Sequence, residues 1–148
     1  MKKLILGATG SIGSSLAKKL VESGDQVHLV GREETNLSSL ARELNSSFTT
    51  CDVLEENFCE KITKDLKDEP IDGLAFCIGS IDLKPLKLTK KSDFMQSFNL
   101  NLVSATEVIR SLADNLKKNK GSIVLFSTVA VKQGFPNHAI VSSAKGAI

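Results

Sequence analysis

The chain contains no tyrosine and no tryptophan, and phenylalanine is its only aromatic residue apart from two histidines. Chemistry that needs a phenol therefore has no residue to carry it. Cysteine is scarce. Cys51, Cys59 and Cys77 are odd in number, widely spaced and form no Cys-x-x-Cys pair, which argues against a disulfide framework and against a zinc site. Small buried side chains are the expectation for all of them. No apolar run approaches the length of a membrane span. Met1 to Gly7 starts like a signal peptide, but the glycines up to Gly13 and the polar Ser14 and Ser15 interrupt it, so a cytoplasmic location is expected. Charge is nearly balanced, with 19 basic and 17 acidic residues and a net charge of +2. Neither a nucleic-acid partner nor a membrane partner is expected from that balance. Repeats, low-complexity stretches and linkers are absent as well.

What is present is an alternation of strand-like and helix-like segments over 148 residues, one domain's worth, at 41% hydrophobic and 24% charged. Leu4 to Leu6 is a short apolar run and predicts a buried strand. Leu16, Ala17, Leu20 and Val21 then repeat at helical spacing, and Gly24 supplies a stop. Val27 to Val30 predicts a second strand. Asn36 is placed to cap a helix whose inner face is Leu37, Leu40, Ala41 and Leu44. Phe48 to Cys51 predicts a third strand, and Phe58, Ile62 and Leu66 mark the next helical face. Leu74 to Ile78 predicts a fully buried fourth strand. Ser92 is placed to cap a long helix through Leu116, with Met95, Phe98, Leu102, Ala105, Val108, Ile109 and Leu112 inward. Ile123 to Phe126 predicts a fifth strand. Asn137 is placed to cap a last helix, still running at Ile148. This order implies an α/β fold: a doubly wound parallel sheet of the Rossmann type, strand order 3-2-1-4-5, filling residues 1–148. Ligands of such sheets bind outside the carboxyl ends of the strands.

Gly7-Ala8-Thr9-Gly10-Ser11-Ile12-Gly13 joins the first strand to the first helix. A diphosphate needs such a turn, because glycines admit the oxygens to the backbone and a helix N-terminus offers free N–H groups and a positive dipole end. Thr9 and Ser11 add hydroxyl donors. A glycine triplet alone also describes a tight turn without ligand; here the strand before it and the amphipathic helix after it supply the context that the motif requires. The second strand ends at Gly31-Arg32. Folds that select NAD usually place an acid there for the ribose 2′-OH, whereas an arginine pairs with the 2′-phosphate of NADP. Arg32 thus favours NADP over NAD; Glu33 and Glu34 bring an acid within reach if the register slips, and the competing reading is a solvated arginine beginning a loop.

Further segments resemble, in order, the landmarks of the short-chain dehydrogenase/reductase family. Cys51-Asp52-Val53 resembles the family's Asp and following apolar residue beside the adenine. Cys77-Ile78-Gly79 stands at the place of its Asn-Ala-Gly. Asn101, within Phe98-Asn99-Leu100-Asn101-Leu102, resembles the helix asparagine that helps hold a proton-relay water. Gly121 to Thr128 resembles the strand leading to the catalytic serine, and Val141-Ser142-Ser143-Ala144-Lys145 resembles Tyr-x-x-x-Lys. The resemblance spans the whole chain. It implies hydride transfer between a nicotinamide cofactor and a small carbonyl or alcohol substrate, in a protein that is a homo-oligomer in its full-length form.

Three departures accompany it. Glycines at positions 7, 10 and 13 are closer to the family's extended or atypical branches than to the branch with glycine at position 11, where this chain has Ser11. Thr128 replaces the serine, and a threonine hydroxyl still hydrogen-bonds a carbonyl. Val141 replaces the tyrosine, whose phenol moves the proton in the family's reaction. Lys145, at i+4 from Val141, shares its helix face and is positioned to hold the nicotinamide ribose hydroxyls. His138 lies three residues before Val141 and is the candidate substitute acid, set against an ordinary loop histidine. His28, inside the second strand, reads as structural. Family members continue through further strands and a substrate-covering loop, so the chain is expected to be the N-terminal part of a longer protein. The competing reading is a catalytically inactive NADP(H)-binding sensor or regulatory protein of the same fold.

Overall fold

The computed structural model describes residues 2–148. Its elements run β1 (Lys2–Leu6), α1 (Ser11–Glu22), β2 (Gln26–Gly31), α2 (Glu34–Glu43), β3 (Ser47–Thr50), α3 (Phe58–Leu66), β4 (Ile71–Phe76), α4 (Lys91–Phe98), α5 (Ser104–Lys118), β5 (Ser122–Leu125) and α6 (Ala139–Gly146). The strands form one parallel sheet in the order β3-β2-β1-β4-β5. The expected doubly wound architecture is therefore the one observed. No helix among the described residues is long and apolar enough to cross a membrane.

Successive strand residues point to opposite faces, and that alternation divides the core. Leu4 and Leu6 of β1 face α3 and α5, packing with Val30, Phe58, Ile62, Leu66, Leu74, Phe76, Val108 and Leu112. Ile5 between them faces α1 and α2, with Ala17, Leu29, Leu37 and Ala41. All three β1 residues are fully buried. A short strand with both faces covered has to read as an unbroken apolar run. β5 differs. It has β4 as its one partner in the sheet, and Ile123 and Val124 remain 42% and 48% exposed.

His28 is buried in β2 and structural, as its place in a strand implied. Thr49 donates its hydroxyl to Asp65 Oδ2 at 2.7 Å. Thr49 Oγ1, 2.9 Å from His28 Nε2, must then accept from the ring, while Nδ1 accepts from Ser47 Oγ at 2.8 Å. Burial, with the Lys2 charge adding to it, lowers the His28 pKa to about 4, so the ring is neutral.

Several expectations about element ends are corrected. Asn36 does not cap α2, which starts two residues earlier after Glu33; Asn36 Nδ2 instead donates to Glu33 Oε2 at 2.7 Å. Ser92 sits inside α4, whose cap position is Lys90, and Asp93 Oδ2 accepts from the Lys90 N–H at 2.8 Å. Asn137 takes a left-handed conformation (φ 65°), and His138 holds the cap position of α6. That helix ends at Gly146 rather than running on at Ile148. The long helix carries a π-helical turn at Asn99–Val103 between α4 and α5. Met95, expected inward, is 52% exposed. Only Cys51 is buried, while Cys59 and Cys77 are half-buried.

Candidate functional site

β1 delivers the chain into the glycine loop. Gly7 has φ +76°, a conformation that favours glycine, and its N–H and that of Ala8 both bond Val30 O at 2.9 and 3.0 Å. Gly13, in the first turn of α1, is pressed against this loop. A Cβ there would lie 2.9 Å from Ala8 Cα and from the Gly7 carbonyl carbon, and closer still to the carbonyl oxygen. Glycine at 13 thus lets α1 start directly under β1. The cap position is Gly10, no side chain caps the helix, and no acidic residue stands in its first turn. First-turn N–H groups without a side-chain partner are what an anion needs.

Beside this loop runs a groove of about 590 Å³. Gly7, Thr9, Gly10, Arg32, Asp52, Val53, Cys77, Ile78 and Gly79 line it, all of them predicted cofactor contacts. Arg32 is held loosely, its Nη1 3.9 Å from Asp52 Oδ2 and its side chain 73% exposed. Asp52 itself is anchored, accepting from the Leu54 N–H at 3.0 Å. Burial pushes the neighbouring Cys51 thiol up to about 11, so it stays protonated and unreactive.

The groove shares Cys77, Ile78, Gly79 and Ser80 with a second cavity of about 310 Å³. Ile12, Phe126, Thr128, His138, Val141 and Lys145 border it. Three hydrogen bonds set its walls. Ser127 Oγ donates to Lys145 O at 2.8 Å, tying the end of β5 to α6. Ser142 Oγ donates to Ala130 O at 3.2 Å. Thr128 Oγ1 accepts from the Ala130 N–H at 3.3 Å, which leaves the Thr128 hydroxyl proton to donate elsewhere. Lys145 is buried, and burial lowers its ammonium below the ordinary lysine value. Asn101 is fully buried in the π-helical turn. Its Nδ2 donates to Ser97 O at 2.9 Å, whereas its Oδ1 has no partner among the described residues.

A sequence profile described as short chain dehydrogenase matches residues 2–148. The chain belongs to the short chain dehydrogenase family. Among its relatives, L-xylulose reductase of Bos taurus is 31% identical over 150 aligned positions, covering 99% of this chain and 61% of that protein. L-fucose dehydrogenase of Oryctolagus cuniculus is 27% identical, covering 98% of this chain and 52% of the relative. In fold, the chain matches L-sorbose reductase from Gluconobacter frateurii, solved with NADPH and L-sorbose, at a TM-score of 0.91 and 18% identity, over 99% of this chain and 59% of that one. The chain thus spans about three fifths of the length of the L-xylulose reductase it matches.

Of the predicted residues, Ser11 and Gly13 border neither cavity, and Ile12 borders the second cavity rather than the groove. Asn101 also lies behind both, reached through Gly79. A Cβ on Gly79 would lie 3.0 Å from Asn101 Oδ1 and 3.1 Å from Lys145 Nζ, so both polar atoms converge on the space left by that missing side chain. Sequence reasoning missed Asn36, Gln96 and Leu100 in the groove, and Ser80, Ile81, Phe126 and Ser127 in the second cavity. Ser80 and Ile81 had a signal, since they follow a strand's carboxyl end. Gln96 and Leu100 had none, because they come from a helix that only tertiary packing brings over the groove. Among the described residues, no group of three or more His, Cys, Asp or Glu side chains is arranged to hold a metal.

Proposed function

We propose that this chain is the NADP(H)-binding and reacting part of an oxidoreductase that moves hydride to or from a small carbonyl or alcohol substrate. The observation that carries this reading is continuity: the groove along Arg32, Asp52 and Gly7 joins, through Cys77, Ile78 and Gly79, a cavity bordered by Thr128 and Lys145. A dinucleotide laid along that path fits the residues present. The uncapped start of α1 receives the diphosphate at Gly7, Thr9, Gly10, Ser11, Ile12 and Gly13. Asp52 and Val53 meet the adenosine, and Cys77, Ile78 and Gly79 form the floor where the two cavities meet. Arg32 accounts for a preference for the 2′-phosphate, and its loose hold on Asp52 leaves the guanidinium available.

When bound, the cofactor supplies or accepts the hydride. The chain's own residues bind and orient. Lys145, buried without an ion-pair partner among the described residues, holds ribose hydroxyls. Thr128 orients the substrate oxygen by a hydrogen bond from its hydroxyl, without giving up the proton, and Asn101 Oδ1 accepts from a relay water. The same reading places the protein in the cytoplasm as a homo-oligomer, with a small-molecule substrate and without a nucleic-acid or membrane partner. Calorimetric titration with NADPH and NADH tests it. Tight NADPH and weak NADH are expected; equal affinity removes the role given to Arg32, and no binding of either removes the reading.

A second reading is an inactive NADP(H)-binding sensor or regulator. Its support is Val141, 4% exposed, standing where the reaction needs a phenol. NADPH binding without turnover of any carbonyl would favour it.

A further inference from the structure

The oxidoreductase reading leaves the substrate oxygen without a proton partner. Position 141 is valine, and the chain has no tyrosine at all. The polar groups bordering the second cavity are Cys77, Ser80, Ser127, Thr128, His138 and Lys145. The Cys77 thiol is pushed up by burial and holds its proton. Ser127 has its hydroxyl proton committed to Lys145 O. Ser80 and Thr128 carry alcohol protons, which orient an oxygen but are too weakly acidic to protonate it unaided. Lys145 is taken up by the ribose. That leaves His138, whose ring nitrogens can both donate and accept a proton.

Its place at the cavity is built rather than incidental. Asn137, left-handed at φ 65°, turns the chain into α6, and its carbonyl accepts from the Lys84 N–H at 3.0 Å, pinning this loop to the one after β4. His138 O receives the Ser142 N–H at 2.8 Å as α6 begins. The imidazole rests against Phe135, ring centroids 5.4 Å apart. Nδ1 lies 2.7 Å from Pro136 O. A carbonyl oxygen only accepts, so Nδ1 must carry a hydrogen in every protonation state. That hydrogen bond fixes the neutral ring as the Nδ1–H tautomer and leaves Nε2 as the position that gains and loses a proton. A backbone carbonyl here orients the imidazole in the way that a carboxylate does in catalytic triads.

Resting on the oxidoreductase reading, we propose that His138 Nε2 exchanges the proton with the substrate oxygen in place of the missing phenol. In the reducing direction the carbonyl carbon receives the hydride with its electron pair, and the carbonyl π pair moves onto oxygen. That oxygen takes the hydrogen of Nε2, leaving neutral imidazole and an alcohol. The half-buried ring then regains a proton from solvent. Oxidation runs the same steps backwards, with neutral Nε2 accepting the hydroxyl proton.

Two measurements decide it. Long-range proton–nitrogen NMR of the protein without cofactor reads the His138 tautomer directly, and Nδ1–H is expected. NADPH-dependent reduction of benzaldehyde, cyclohexanone and diacetyl is then compared between the parent chain and His138→Gln. The expected result is a loss of about 100-fold in kcat, with NADPH affinity by calorimetry within about twofold of the parent. An Nε2–H tautomer overturns the proposal. So does His138→Gln turning over within about threefold of the parent, or a parent that binds NADPH and reduces none of the three carbonyls. A parent that binds no NADPH overturns the oxidoreductase reading itself, which separates that failure from the failure of His138.

Discussion

The two halves of the sheet carry different kinds of information. The half built from β1, α1, β2, α2 and β3 does its work with backbone. Gly7 and Gly13 shape the loop, the first turn of α1 has no side-chain cap, and β1 is covered on both faces. The half built from β4, α5, β5 and α6 brings individual side chains to one cavity: Cys77, Thr128, Val141 and Lys145. Its outer strand leaves Ile123 and Val124 largely exposed. A backbone-shaped site tolerates little change, because any added atom meets main chain. A side-chain site can change its chemistry without disturbing the fold. Val141 is buried in α6, as are Ile140 and Ala144.

The strongest break of this contrast is at Gly13. Gly13→Val should abolish dinucleotide binding, by about 1,000-fold or some 4 kcal/mol, since its Cβ would overlap the Gly7 carbonyl. Calorimetric titration with NADPH reads this, and retained affinity would mean that the loop yields where the packing says it cannot.

The next effect belongs to the buried histidine of the first half. His28 has a folded pKa of about 4, below the ordinary 6.5. The unfolded chain therefore takes up a proton that the folded chain refuses. Stability should be complete above about pH 6.5, fall as pH drops toward 4, and change no further from this group below that. The loss amounts to about 3 kcal/mol across that window. Denaturant titrations at stepped pH measure it, and a stability that does not change between those limits would contradict a buried neutral ring.

In the second half, Val141→Tyr sharpens the comparison by restoring the phenol. Introduced into the His138→Gln background, it should recover about 100-fold in kcat, because Lys145 and Thr128 already border the same cavity. No recovery would mean that the rest of the reacting half has drifted as well. The smallest effect is at Arg32. Arg32→Ala should weaken NADPH by about tenfold and leave NADH unchanged, as removal of one exposed charge-assisted contact predicts. Paired titrations with the two cofactors separate this from any general loss of affinity.

Much of the fold was legible in the residues themselves. The apolar runs at Leu4–Leu6 and Leu74–Phe76 and the 3.6-residue spacing of Leu37, Leu40 and Ala41 marked their elements, because a sheet covered on both faces and a helix covered on one leave different periods in a sequence. Element starts were less legible. Asn36, Ser92 and Asn137 all have cap-forming side chains, yet the helices begin at Glu34, Lys91 and Ala139, because tertiary contacts and loop geometry decide where the first turn closes. The π-helical turn around Asn101 left no trace either, being an offset in hydrogen bonding rather than in composition.

The sequence by itself determined the strand–helix alternation of a parallel sheet, the glycine loop at the end of β1, and the absence of a phenol, since each is written in residue type and spacing along one dimension. Only the tertiary structure decided that Asn101 Oδ1 and Lys145 Nζ converge on Gly79, that the groove and the second cavity meet at Cys77 and Ile78, and that Pro136 O holds His138 Nδ1. The first two depend on distances between segments far apart in the chain, and the third on the left-handed turn at Asn137; none of these follows from a local pattern of apolar and polar residues.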